Sequence, residues 1–424
     1  AQKRLDDNDP LGAMELALKA LPSEEQDRPV LTEAEYVLGE ALGIYTTPSS
    51  AINTASVTDV INTDLSDFFL TKDGKYLVCW GQDKNVVRIV DTKKAEIVRS
   101  IELESDPIRL SSQFLLADNA LIIPTEGKLT CVNYLTGNVY WTSYIDGRFS
   151  LCVSDDEAKL VVLSCDKFSS DDSATQTISV FSSSTGVLQQ KFLCTILEEE
   201  YASSDIYLSP DMKWLAIKVY FSSNKYALYL VDLETGASRQ LTEMDARVDS
   251  VQFLGSGISV IRSSGHSFLL GNSNYRSFFM DPITVWLEFY DLESGDLVWR
   301  SEQCCYDVCE EGGILTSVLV QYPVSEEPKN GILYTFFNKS VLLDYQTGAT
   351  VNVFEMSSSV VDILYQDNKV ITINADGTYH NVNLLTGRIL QIKTFDESII
   401  SLCRYGSTFY IRYGRYYISW RNSL

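Results

Sequence analysis

Asp291-Leu292-Glu293-Ser294-Gly295-Asp296-Leu297-Val298-Trp299 places a Ser-Gly step between two apolar, strand-like runs, and that step recurs along the chain. Ser or Thr precedes Gly137, Gly186, Gly236, Gly295, Gly348 and Gly387, which lie 49, 50, 59, 53 and 39 residues apart. Such intervals fit one four-stranded blade with loops of varying length. Glycine supplies a positive φ between the third and fourth strands, and a preceding Asp or Asn can bond the turn's backbone. The chain therefore reads as all-β, a β-propeller, which is a fold that hosts enzymes, ligand sensors and protein scaffolds alike.

Between these steps the strands are rich in Val, Ile, Tyr, Phe and Thr. In the first repeat Ser66 to Leu70 is the inner strand, Lys72-Asp73-Gly74-Lys75 the turn, then Tyr76 to Trp80, Val86 to Asp91 and Ala95 to Ile101. The same order recurs with Ser209-Pro210-Asp211-Met212 as the turn before Trp214 to Val219. Repeats follow at 66–104, 106–145, 147–194, 202–244, 246–303, 308–356 and 358–395. The remainder, 397–424, supplies three strands and stops. Ser56 to Asn62 has no partner of its own and can donate the fourth, which removes two open sheet edges. The expectation is eight blades closed by an N-terminal strand over 54–424, with seven blades as the alternative if 246–310 is misdivided.

Residues 1–45 have a different period. Pro10 stands at a first helical position behind Asp9, and Leu11, Met14, Leu18 and Leu21 fall on one face. Thr32 and Glu35 at capping-box spacing open a second helix, lined by Ala34, Val37, Leu38, Ala41 and Leu42. A helical hairpin or linker is expected here.

With 45% hydrophobic residues in 424 the chain can bury a large core, and no stretch approaches the roughly twenty apolar residues of a membrane helix. A net charge of −23 repels phosphate backbones and anionic lipid, so neither nucleic acid nor membrane is expected as a partner. Nine cysteines without a spacing rule read as reduced core thiols in a cytoplasmic protein. The chain opens at Ala1-Gln2-Lys3-Arg4 with neither an initiator Met nor a signal peptide, which reads as an excised piece of a longer protein.

Asn133-Tyr134-Leu135-Thr136-Gly137-Asn138-Val139-Tyr140-Trp141 and the opening stretch resemble the repeat of quinoprotein-like (PQQ-like) propellers, whereas Lys72-Asp73-Gly74-Lys75-Tyr76-Leu77 and Ser209-Pro210-Asp211 resemble the first hairpin of WD-repeat blades. Ala13-Met14-Glu15-Leu16-Ala17-Leu18-Lys19-Ala20-Leu21-Pro22, followed by Arg28-Pro29 and Glu33-Ala34-Glu35, is similar to the helical linker before the propeller in bacterial multidomain proteins. Those proteins carry an upstream Toll/interleukin-receptor-like or STAND NTPase domain. The resemblance covers about a tenth of the chain. It implies a covalently linked effector upstream, with the propeller as sensor or protein-binding module.

Little in the sequence carries chemistry. His266 and His380 have no Gly-x-Ser-x-Gly elbow beside them. Cys304-Cys305-Tyr306-Asp307-Val308-Cys309 lacks the paired spacing of a zinc site, and the acidic runs at 198–200 and 310–313 lack the oxygen pattern of an EF-hand. There is no Walker sequence, and no residue set for a quinone aligns. No catalytic, cofactor or metal residue is assigned. Tyr405, Arg412, Tyr413, Arg415 and Tyr416 form the one basic aromatic patch and are the candidate contact surface, closure of the last blade being their structural role. The sequence favours a non-enzymatic sensor or interaction module that binds a protein or other ligand, with the insertions at 160–176 and 246–290 as recognition loops. An enzyme propeller, either a hydrolase or a quinone-dependent oxidoreductase, and a constitutive assembly scaffold are the alternatives.

Overall fold

A computed structural model describes residues 10–20, 34, 37–38, 60–62, 65–81, 85–94, 96–104, 114–165, 176–194, 201–221, 225–264, 267–269, 277–279, 283–302, 304–306, 315–324, 327–356, 358–366, 369–376, 378–384, 389–394, 401–405, 408–413 and 416–421. Its strands form consecutive antiparallel sheets, each a simple meander. The first contains Leu65–Leu70, Tyr76–Gly81, Val86–Asp91 and Glu96–Glu102. The second contains Leu115–Leu116, Ala120–Thr125, Lys128–Asn133 and Val139–Tyr144. The third contains Arg148–Val153, Lys159–Cys165, Gln176–Ser182 and Leu188–Cys194.

Tyr201–Leu208, Trp214–Phe221, Tyr226–Asp232 and Ser238–Gln240 make the fourth. The fifth is Arg247–Leu254, Gly257–Ser264, Ile283–Asp291 and Leu297–Arg300, with Cys304–Tyr306 continuing its outer edge. The sixth runs over 315–355 and the seventh over 360–394. In the last sheet Ser401–Tyr405, Thr408–Tyr413 and Tyr416–Arg421 are joined by Val60–Asn62, with Val60 opposite Ile418 and Asn62 opposite Tyr416. The strand expected at 56–62 is thus paired over its last three residues. Ser401–Tyr405 neighbours both Leu65–Leu70 and Val360–Gln366, so the first and last sheets meet and the series closes on itself.

Burial between sheets explains why the middle strands lack a polar alternation. In Leu160-Val161-Val162-Leu163, Leu160 and Val162 enter the core shared with the second sheet, whereas Val161 and Leu163 enter the core shared with the fourth. Trp214 and Ala216 likewise face the fifth sheet, while Leu215, Ile217 and Val219 face the third. A strand buried on both faces reads as continuously apolar. The outer strands read differently: Leu188–Cys194 is mostly exposed.

Five of the six Ser/Thr-Gly turns match their sequence reading, and Gly387 lies outside the described residues. Gly137, Gly186, Gly236, Gly295 and Gly348 all have φ between 67 and 79°. Each donates its N–H to the carbonyl four residues earlier, at 2.7–2.9 Å. Asp91, Asn133, Asp232 and Asp344 each accept two backbone N–H bonds through Oδ1.

Five of the outer strands also grip the following turn through a side chain. Arg99 Nε donates to Leu135 O at 2.9 Å, Trp141 Nε1 to Ser183 O at 2.9 Å, Trp299 Nε1 to Tyr345 O at 3.0 Å and Asn352 Nδ2 to Leu384 O at 3.0 Å. Arg239 does so through Glu293 O at 2.8 Å. Different side chains therefore perform one task, bridging five of the sheets to the next.

At the N-terminus the helix Pro10–Ala20 begins at the expected proline. Ala13 and Ala17 pack with Val37 and Leu38, which are helical, so the two segments meet as a hairpin would require. The buried stripe is a correction: Leu18 is 54% exposed, and the small Ala13 and Ala17 form the contact instead. Two alanines one turn apart let helices approach closely, an advantage that hydrophobicity alone does not reveal.

Candidate functional site

The two ends of the sheets differ, and this difference defines the candidate site. Within a sheet, the first-to-second and third-to-fourth turns lie side by side: Thr92 N bonds Lys75 O at 2.9 Å, Ser183 N bonds Ala158 O at 3.1 Å, and Leu233 N bonds Lys213 O at 2.9 Å. These turns are also internally closed. Ser209 Oγ donates to Asp211 Oδ1 at 2.6 Å and accepts from Trp214 N at 2.8 Å, and Thr71 with Asp73 and Ser154 with Asp156 repeat the arrangement. Glu157 binds Lys72 and accepts Ala117 N at 2.6 Å, which ties the turns of three sheets together. This is a short, saturated turn end.

The strands that flank 105–113, 166–175, 195–200 and 265–282 end on the opposite side of their sheets. Both insertions singled out from sequence, 160–176 and 246–290, reach this loop end. Between the second and third strands of the fifth sheet in sequence, Ser267–Leu269 pairs with Ser277–Phe279 as a separate two-stranded ribbon.

The fifth sheet holds an ionic cluster that sequence reading missed. Glu288 is fully buried, and each carboxylate oxygen accepts two bonds. Oε1 takes Trp286 Nε1 at 3.0 Å and Arg300 Nη2 at 2.7 Å; Oε2 takes Arg262 Nη1 at 3.1 Å and the Tyr290 hydroxyl at 2.6 Å. Arg262, 1% exposed, also donates to Asp245 Oδ1 at 2.8 Å and to the carbonyls of Glu243 and Ala246 at 2.9 and 3.0 Å. Both guanidinium groups stand over the Trp286 ring, at 5.9 and 5.8 Å from its centroid. Burial, then the bond to Glu288, holds the Tyr290 phenol far above its usual range, so it acts as a donor. The carboxylate has no lone pair left for proton transfer. What the cluster does is pin the 243–246 connection against the fifth sheet. Closer to the loops, Arg247 pairs with Asp249 at 2.7 Å, and Asp249 is the inserted residue of a β-bulge, a device that re-aims a side chain.

His380 stands in the third strand of the seventh sheet, as expected, but points into the core. Its Nδ1 accepts from Asn374 Nδ2 at 3.1 Å and lies 3.4 Å from Met356 Sδ. Thr378 Oγ1, which accepts from the same Asn374 amide at 2.8 Å, donates to Asp376 at 2.7 Å. Burial lowers the imidazole's pKa and keeps it neutral. His266 lies outside the described residues.

Cys79, Cys131, Cys152, Cys165 and Cys194 are buried free thiols, and burial pushes the Cys131 thiol up to about 12. Such groups are inert core residues. Cys304 and Cys305 lie in a strand while Cys309 is outside the described residues; among the described residues no three His, Cys, Asp or Glu side chains converge as a metal set. None of the described helices is long and apolar enough to cross a membrane.

The basic aromatic patch divides. Arg412, Tyr413 and Tyr416 flank the 414–415 connection at the loop end, with Tyr413 opposite Tyr416. Tyr405 lies at the other end of its strand, opposite Thr408. Arg415 is outside the described residues.

No protein-family model matches the chain, and no curated protein matches it in sequence. Solved structures do match in shape. The computationally designed Ika8 protein aligns with a TM-score of 0.53 at 13% identity, covering 85% of this chain and 96% of its own. BamB from Moraxella catarrhalis gives 0.49 at 14% identity over 86% and 96%, and Kuenenia stuttgartiensis hydrazine synthase gives 0.44 at 12% over 79% and 97%. Together with the ring of antiparallel sheets, the first likeness defines the class: the fold is a β-propeller.

Proposed function

We propose that this chain is an eight-bladed propeller serving as a protein- or ligand-binding sensor module, with recognition at the loop end. The asymmetry between the two ends carries this reading. Turns at one end are short and hydrogen-bonded to one another, whereas the connections that vary in length leave from the other. Rigid frameworks with variable loops on one side are suited to recognition. The saturated Glu288 cluster braces the sheet that carries the longest insertion, and its exhausted lone pairs favour binding over acid–base chemistry at that place. Arg412, Tyr413, Arg415 and Tyr416 would contribute a cationic, aromatic patch to the same face.

On this reading the helical segment 1–45 links the propeller of 54–424 to an upstream effector, in a bacterial signalling or defence protein of the cytoplasm. Buried free thiols suit a reducing compartment. The net charge of −23 disfavours nucleic acid and anionic membrane as partners.

The test is proximity labelling in the native host with the full-length protein. One variant has 166–175 and 265–282 replaced by short Gly-Ser turns; another carries Lys72→Ala and Lys94→Ala at the turn end. Partners lost by the first and kept by the second are the expected result. Equal labelling by both variants contradicts recognition at the loop end.

A further inference from the structure

The outer strand of the second sheet, Val139–Tyr144, differs from the other outer strands. An outer strand presents one row of unpaired backbone groups, and proteins guard such edges with charges. Among the described outer strands of four or more residues, 96–102 has Glu96, Arg99 and Glu102, 188–194 has Lys191, 297–300 has Arg300, 350–355 has Glu355 and 389–394 has Lys393. Val139-Tyr140-Trp141-Thr142-Ser143-Tyr144 has none. It also exposes large side chains: Tyr144 is 80% exposed, Val139 60% and Tyr140 49%.

Its backbone polarity is fixed by the sheet. Ile145 N donates to Gly127 O at 3.0 Å, and the register places Leu129 opposite Ser143 and Thr130 opposite Thr142. Bonding alternates along an antiparallel strand, so Trp141 and Ser143 bond inward while Thr142 and Tyr144 turn N–H and C=O outward. Trp141 and Ser143 are also committed by their side chains, to Ser183 O and Gly186 O. Tyr140 is held in place from Asn133 and to Asp118 O at 2.6 and 3.1 Å.

We propose that Val139–Tyr144 is the docking edge for a second copy of this chain, paired antiparallel about a two-fold axis through Thr142. Side-chain complementarity, with no charge on either copy's strand to oppose it, selects that occupant. The axis sets Thr142 against Thr142 and Tyr144 against Tyr140, and both Thr–Thr and aromatic pairs are favourable across strands. No like charges oppose one another within it. The same operation centred on Ser100 in the first sheet sets Glu96 against Glu104, which opposes pairing. Two bodies of charge −23 repel at long range, so this uncharged contact tightens as salt screens the repulsion.

The test uses the purified 424-residue chain without any partner: analytical ultracentrifugation and light scattering across the micromolar range, at low and high salt. Wild type is expected to dimerise, and more tightly at high salt. Thr142→Pro removes an outward N–H that no bond among the described residues uses, so the fold, checked by circular dichroism, survives. It should raise the dimer dissociation constant at least about tenfold, as should Tyr144→Lys. Ser100→Pro, at an outward position of the first sheet's outer strand, should leave it unchanged. A wild type monomeric throughout, a dimer weakened by salt, or one indifferent to both second-sheet variants overturns the proposal.

Discussion

The indole of Trp299 lies over Gly348: a methyl group on that glycine would fall 2.5 Å from Trp299 Cδ2, and Trp299 Nε1 bonds Tyr345 O at 3.0 Å. One glycine thereby serves two purposes, a φ of 69° for its own turn and a flat seat for the preceding sheet. Gly348→Ala should cost about 2–4 kcal/mol, from the left-handed backbone and the overlap together. Trp299→Ala should cost about 3 kcal/mol. The double variant should lose less than the sum, because the overlap vanishes with the indole. Urea unfolding of the four proteins measures this coupling.

The Arg262–Glu288 pair predicts a different pattern. Replacing Arg262 by Met leaves Glu288 with a fully buried charge short of one cation, a change expected to cost about 3–5 kcal/mol. Glu288→Gln strands the guanidinium instead. Combined, the two should cost clearly less than their sum, again read by urea unfolding.

Acid should weaken the turns in a defined range. The pKa values of Asp232 and Asp291 lie below the usual 3.8, chiefly through the backbone N–H of Thr235 and of Ser294 respectively. The unfolded chain then binds protons more readily, so this contribution is present above pH 3.8 and is lost as pH falls through the lower, folded values. Asn133 fills the same position in the second sheet, so Asp232→Asn with Asp291→Asn should keep the turns and flatten the pH slope. Unfolding midpoints from pH 6 to pH 3 are the measurement.

His380 acts in a higher range. Burial lowers its pKa from 6.5, so the folded protein resists a proton that the unfolded chain accepts. Stability should therefore be full above pH 6.5 and decline as pH falls below it. His380→Leu should remove that decline while costing stability at pH 8, because Asn374 loses its acceptor.

The turns and the ring were legible because their signals are local. A Gly after Ser or Thr needs only its neighbours to form the turn, and the unpaired run ending at Asn62 could be matched to a last repeat short of a strand. The helix contact was misread, since Leu18 outranks Ala13 in hydrophobicity while close packing favours the alanine. Arg262 and Glu288 were illegible for another reason. Charges 26 residues apart look solvated until the register sets Arg262 beside Trp286 and Glu288 two residues further on. The patch from Tyr405 to Tyr416 is contiguous in sequence, yet strand reversal sends Tyr405 to the far end.

Everything at the loop end depends on the ring closing through Val60–Asn62 and Tyr416–Ile418. The most direct measurement is the disulfide between cysteines introduced by Ile61→Cys and Tyr417→Cys, which are opposed in the register. Opposed residues of antiparallel strands lie within disulfide reach. Mild oxidation and peptide mapping should give the 61–417 link in high yield, with unfolding shifted to higher denaturant. Free thiols at both positions in the folded protein, or links only to other cysteines, would contradict the closed ring.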